Sequence, residues 1–254
     1  MTIAAAVLAD APLLYWKLDD LTGPAASDSS GNGRPGFYAG LFNLGLPGPE
    51  AGTLSALLQT GGYVLSVAPS PKLGHPWSMD VWLAPVTVMP TSTVLAYNGL
   101  SNSTGDGLVW APVGQQQNAF ALIRGGLGIG GAIGGKFPGS WHHYALTVDA
   151  GGNYNVYQDG VNVGVATLAA NGLAATDPFV VGGVGAELAY VAHAAFYGAA
   201  LTPARVLAHF NGAAALQTPE AVQGTATVTT GLATILTDLT QLLGFIARDL
   251  RNTP

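Results

Sequence analysis

Residues Trp141–Gly160 read WHHYALTVDAGGNYNVYQDG, and the reading of this stretch decides the fold. From Trp141 to Asp149 the residues alternate, with His142, Tyr144, Leu146 and Val148 toward one side and Trp141, His143, Ala145 and Thr147 toward the other. Successive side chains of a pleated backbone leave on opposite faces, so this period of two predicts a strand with one face to bury. Gly151, Gly152 and Asn153 let the chain reverse, and Tyr154 to Gln158 returns as a second strand rich in aromatic and β-branched residues. Asp159-Gly160 is a hairpin signal, because a type I′ turn needs positive φ at both central positions and these residues tolerate it. Val161, Val163 and Val165 then share one face of a third strand. Such a meander begins an antiparallel sandwich.

Working outward, Ala11 to Leu18 reads as a strand with Leu14, Trp16 and Leu18 opposite Leu13, Tyr15 and Lys17. Gly61 to Val67 and Trp77 to Leu83 alternate too, the latter with Met79, Val81 and Leu83 opposite Ser78, Asp80 and Trp82. Thr93 to Tyr97, Gly107 to Ala111, Phe120 to Arg124, Phe179 to Gly185 and Ala189 to Tyr197 complete the expected strands. Thr202-Pro203 is an N-cap followed by proline at the first helical position, and the short helix after it is expected to turn Val206, Leu207 and Phe210 inward before Asn211-Gly212.

Three segments, in order, resemble a laminin-G-like, concanavalin A-type jelly roll. Tyr15 to Asp20 with Asp28 to Gly33 resembles its opening strand and loop, Trp141 to Gly160 its W-H-H-x-A-L-T-x-D strand and Y-x-D-G hairpin, and Ala199 to Gly212 its closing helix. Met79 to Pro85 is similar to its central E-x-W-x-x-P strand. The resemblance implies an all-β, antiparallel jelly-roll sandwich over residues 1–212, whose first and last strands lie side by side. A linker over 213–224 and a helix over 225–254 follow. It also implies calcium at the opening loop, where Asp28 and Asn32 offer oxygens. The family's acidic pair ahead of the closing tyrosine is replaced here by Ala192 and His193, which leaves an Asx-rich structural turn as the alternative.

From Thr225 to Leu250 the spacing changes. Val228, Leu232, Ile235, Leu239, Leu242 and Ile246 fall alternately four and three apart, a heptad seam flanked by Thr, Gly and Ala rather than by charge. An isolated helix with so many threonines and glycines is marginal in water, so a partner surface is expected: a homotrimer, or docking on a larger body. A helix folded back on its own sandwich is the alternative.

Composition bounds the function. The 254 residues are 49% hydrophobic and only 9% charged, against roughly a quarter charged in ordinary domains. Such a surface fits an assembled state. A net charge of −6 without a basic stripe argues against nucleic acid, and the absence of cysteine removes disulfides and thiolate metal sites. MTIAAAVLADAP has no basic segment and is broken by Asp10 and Pro12, a poor secretory signal, and no uncharged run of about 18 apolar residues predicts a membrane span.

The chemistry-bearing residues are few. Asp19 and Asp20, adjacent on an expected strand, point apart and do not make a hydrolytic pair. His142 and His143 split across the sheet with no carboxylate near in sequence, and there is no G-x-S-x-G elbow. The glycines of Gly125 to Gly135 precede Lys136-Phe137-Pro138, which opens no helix, so a phosphate loop is not expected. A non-catalytic chain is expected. Polar loops beside Tyr97, Asn98, Trp110 and Gln115 are the candidate glycan contacts, and Tyr63 could add a stacking face. The whole arrangement resembles virion proteins of tailed bacteriophages, minor tail proteins or capsid decorations. That implies synthesis in a host cytoplasm, virion partners and a host-surface glycan, with a soluble lectin or carbohydrate-binding module as the competing reading.

Overall fold

The period-two runs become sixteen strands among the described residues of the structure, a computed structural model that describes residues 1–71, 74–86, 93–99, 104–110, 120–124, 127–133, 139–168, 177–183, 188–213 and 216–217. In chain order these are α1 (Ile3–Leu8), β1 (Leu14–Trp16), β2 (Ala25–Ala26), β3 (Gly36–Ala39), β4 (Phe42–Pro47), β5 (Leu54–Leu58), β6 (Tyr63–Ser66), β7 (Trp77–Pro85) and β8 (Thr93–Asn98). Then follow β9 (Asp106–Trp110), β10 (Phe120–Arg124), β11 (Leu127–Ile133), β12 (His142–Val148), β13 (Asn153–Gln158), β14 (Val161–Thr167), β15 (Phe179–Gly182), β16 (Ala189–Tyr197) and α2 (Pro203–Asn211). One unit spans Met1–Pro219. The segment Glu220–Pro254, with the heptad residues Val228, Leu232, Ile235, Leu239, Leu242 and Ile246, lies outside the described residues.

The strands form two antiparallel sheets. The first runs β14-β13-β12-β7-β16-β5-β4, with β1 also on β16; the second runs β11-β10-β9-β8-β15-β6-β3-β2. The ends of the unit meet as expected: β1 pairs with Ala194 to Phe196 of β16. Farther along the same edge of β16, Ala189 to Val191 pair with β5. Between the two pairings His193 takes φ of 50° and donates its N–H to the Lys17 carbonyl, which makes a bulge. The Asp159-Gly160 turn has φ of 53° and 77°, as a type I′ hairpin demands.

Between the sheets lies a core that includes Trp16, Trp77, Met79, Val81, Tyr144, Leu146, Val148, Phe179 and Phe196, with Trp77 stacked on Phe196 at 5.6 Å. The sequence predicts one buried face for β12, but both are buried. The outward face of β7, β12 and β16 carries a second apolar cluster that includes Tyr15, Trp82, Trp141, Ala145, Tyr157, Tyr190 and Tyr197, and Ile3 and Val7 of α1 and Val206 of α2 pack into it. Two short helices thus cover a face that alternation alone marks as solvent-facing. Within α2, Val206 is buried as expected and Phe210 stacks on Trp82 at 5.9 Å, but Leu207 is 43% exposed. His209 takes the inward place, because residues three and four apart share a helix face and the next residue on does not. Among the described residues no helix is long and apolar enough to cross a membrane.

Candidate functional site

The opening loop is built around Asp28. Its Oδ1 accepts the N–H groups of Tyr15 and Ser30, and its Oδ2 accepts the Ser30 hydroxyl and the Arg34 N–H. Burial would raise this carboxyl, but the backbone donors of Arg34, Ser30 and Tyr15 outweigh it and hold the pKa below the ordinary range. Asn32 turns its amide N–H groups to the carbonyls of Pro12 and Leu13. An ionised carboxylate offers about four lone-pair sites, and four donors occupy those of Asp28. These residues do not fit the calcium that the family resemblance implies. Nor does His193 supply the missing acid, since its Nδ1 lies 2.6 Å from the Tyr15 hydroxyl. The loop is an Asx-type structural turn.

Two of the expected glycan contacts, Tyr97 and Asn98, lie in the interior. Tyr97 is fully buried and its hydroxyl donates to the Gly105 carbonyl at 2.8 Å. Asn98 is 1% exposed, and its Oδ1 accepts the Ser70 hydroxyl. This corrects the expectation of an open platform at these two residues: the alternation of β8 reads equally well with Tyr97 inside, and the fold puts it there. Trp110 ends β9 through backbone pairing with Thr93 and Phe120, and Gln115 lies outside the described residues.

A polar cluster that sequence reasoning missed joins the sheets. Arg124 of β10 donates through Nε to Asp106 Oδ1 of β9 at 2.5 Å and through Nη2 to the Tyr154 hydroxyl of β13 at 2.7 Å. The same hydroxyl donates to Asp106 Oδ2 at 2.8 Å and lies 2.8 Å from His75 Nε2. The guanidinium stands 5.5 Å from the Tyr154 ring centroid, and His75 meets that ring edge-on at 5.4 Å. Burial pushes the Tyr154 phenol well up, Asp106 adds to that, and the group stays protonated. Burial also lowers His75, favouring the neutral ring. Asp106 and Tyr154 are buried, whereas Arg124 and His75 are half-buried and carry the cluster to the surface beside the Asp149–Asn153 turn. A planar set of donors beside an aromatic ring can pair with a hydroxyl-rich ligand.

A second constellation lies beneath α2. His209 is held between two carboxylates, Nδ1 at 2.6 Å from Asp80 Oδ2 and Nε2 at 2.7 Å from Asp10 Oδ2. Arg205 also donates to Asp10, at 2.8 Å, and Tyr197 approaches Asp80 at 3.3 Å. Burial opposes charge on both partners, yet their mutual attraction prevails: Asp80 is held low and His209 is raised. Histidines that have no carboxylate near in sequence gain one through the fold, since His142 Nδ1 lies 2.9 Å from Asp159 and His143 Nε2 lies 3.4 Å from Asp80.

The family model for the Concanavalin A-like lectin/glucanases superfamily matches residues 58–207, and the chain belongs to this superfamily. No curated protein sequence matches it. Among solved structures it is similar to domain 4 of an extracellular arabinanase from Geobacillus stearothermophilus, in complex with arabinotriose. Identity is 22% and the TM-score 0.57, over 80% of this chain and 98% of that one. It is also similar to a Trypanosoma rangeli sialidase mutant displaying trans-sialidase activity (14% identity, TM-score 0.60), over 80% of this chain and 33% of that one. A third likeness is to botulinum neurotoxin type C, whose cell entry depends on interaction with two ganglioside molecules (12% identity, TM-score 0.61), over 82% of this chain and 52% of that one. The chain therefore spans about a third of the sialidase chain and half of the toxin chain. At these identities the likeness establishes the fold.

Proposed function

We propose that the Met1–Pro219 unit is a non-catalytic carbohydrate-binding module. The observation that carries this reading is the correspondence with nearly the whole of a domain solved in complex with arabinotriose. The binding rim is the half-buried edge formed by Arg124 and His75, with Tyr154 and Asp106 fixing their orientation. Hydrolysis would need two carboxyl groups free to face a glycosidic bond. Among the described residues each carboxylate is already engaged by a donor of the chain, Asp177 by Thr104, Asp20 by Ser27, Glu50 by the Ile3 N–H, Asp149 by Asn153 and Asp19 by Lys17 in addition to those above. Binding to an array that includes arabino-oligosaccharides and sialylated glycans tests the reading. Selective binding that falls at least tenfold in His75→Ala supports it, and an array without binding defeats it.

The setting we infer is a virion, in which the module is displayed as a minor tail or capsid decoration protein and the Thr225–Pro254 segment joins copies or binds the particle. The heptad spacing of Val228 to Ile246 supports this role. A soluble lectin is the competing reading, and the native mass of the full chain separates the two.

A further inference from the structure

Asp80, His143 and His209 come from β7, β12 and α2, and one ligand atom of each lies within 4.8 Å of the others. All three side chains are buried. Hydrogen bonding explains only part of this convergence. His209 is satisfied at both ring nitrogens, but His143 is not: its Nδ1 has no partner, and its Nε2 is 3.4 Å from Asp80 Oδ2, at the outer limit of a hydrogen bond. Its ring packs at a tilt of 39° against Trp82, with centroids 5.3 Å apart, and Nε2 faces the carboxylate.

We propose that Asp80, His143 and His209 form a binding site for a divalent cation of the zinc type, which ties α2 to the first sheet. Two imidazoles and a carboxylate are a borderline donor set that suits Zn²⁺ better than the oxygen-seeking Ca²⁺ or Mg²⁺. The surroundings of His209 and Asp80 match what such a site needs. Asp10 accepts from His209 Nε2 at 2.7 Å, which fixes the tautomer that leaves Nδ1 as the ligand atom, and Arg205 in turn holds Asp10. Tyr197 is placed to hold the second Asp80 oxygen, 3.4 Å away. Metal–ligand bonds of about 2.0 Å put tetrahedral ligand atoms about 3.3 Å apart. The His143–Asp80 separation of 3.4 Å already has this value. The His209–Asp80 contact of 2.6 Å must open by roughly 0.7 Å as the cation replaces the proton between them. With the three groups buried, the ion enters as α2 docks during folding.

The test is to unfold the full chain with a chelator, refold it with zinc or with chelator alone, and measure metal content, native mass and thermal midpoint. The site predicts one zinc per chain and a midpoint about 5–10 °C above the chelated protein at a hundredfold excess over Kd. Cobalt in place of zinc should give the visible absorption of a four-coordinate ion. His143→Gln leaves the Asp10–His209–Asp80 bridge intact, so it should fold and yet lose the zinc. Refolded protein without stoichiometric metal and with an unmoved midpoint overturns the site. Zinc retained in both His143→Gln and His209→Gln overturns it too, because the ion would then be held by other residues.

Discussion

His193 is the residue on which the meeting of the chain's two ends turns. Its positive φ opens β16, its N–H caps the Lys17 carbonyl, and its ring is buried with Nδ1 against the Tyr15 hydroxyl and Nε2 without a partner. Burial lowers its pKa from 6.5 to about 4, against the pull of Asp19 and Asp80, while Lys17 and His143 work with burial. The unfolded chain then binds a proton that the folded chain refuses, so stability is lost as pH falls from 6.5 to about 4. Denaturant titrations across this window should show a loss on the order of 3 kcal/mol that is absent in His193→Gln. A flat profile would mean that the ring takes a proton in place. The second residue-scale prediction concerns Asp106. Removing its carboxylate in Asp106→Ala leaves the Arg124 guanidinium, whose side chain is 18% exposed, without its ion-pair partner, at a cost of about 3 kcal/mol in the unfolding free energy. Neither residue announces this role in the sequence: Asp106 meets Tyr154 across 48 positions and His193 meets Tyr15 across 178, separations that no local pattern encodes.

At the level of elements, what reads from sequence is what repeats locally. The alternation of β7 and β12 places Met79, Val81, Leu146 and Val148 on the inner face as expected, and Thr202-Pro203 starts α2 where a cap and a first-turn proline should. β2 to β5 carry no comparable signal, because Ala25–Ala26 is too short for a period and glycine and proline interrupt β4. The six-residue α1 has too few turns for a helical stripe, and packing makes it visible: Ile3 and Val7 are buried against the outer cluster. The hairpin and α2 are also coupled. A Cβ on Gly160 would lie 2.7 Å from Leu207 Cδ1 and 3.2 Å from Leu207 Cα, at a backbone φ of 77°. Gly160→Ala should therefore lower stability by about 1–3 kcal/mol, part strain and part displacement of α2. Double-mutant analysis with Leu207→Ala should recover part of the loss by removing the side-chain contact; strict additivity would mean that the helix does not feel the turn.

For the whole molecule, the resemblance read from three sequence segments extends to the complete sandwich, and the family match over residues 58–207 agrees with it. The candidate site is less legible, because Tyr97 and Asn98 are polar-tipped residues that an interior can satisfy, and loop position alone does not distinguish them from contacts. In the proposed arrangement the sandwich is the displayed module and the tail assembles. Deleting Thr225–Pro254 should reduce the native mass from a multiple of the chain to one copy while leaving the sandwich folded, and an unchanged monomeric mass before and after would remove the tail's role. The central claim, that the sandwich binds carbohydrate without cutting it, is tested most directly by titrating arabinotriose into the full chain in a calorimeter and recovering the sugar afterward for chromatography. The account predicts saturable heat, weakened at least tenfold by His75→Ala, and arabinotriose returned intact; no heat of binding, or a sugar returned as shorter products, would contradict it.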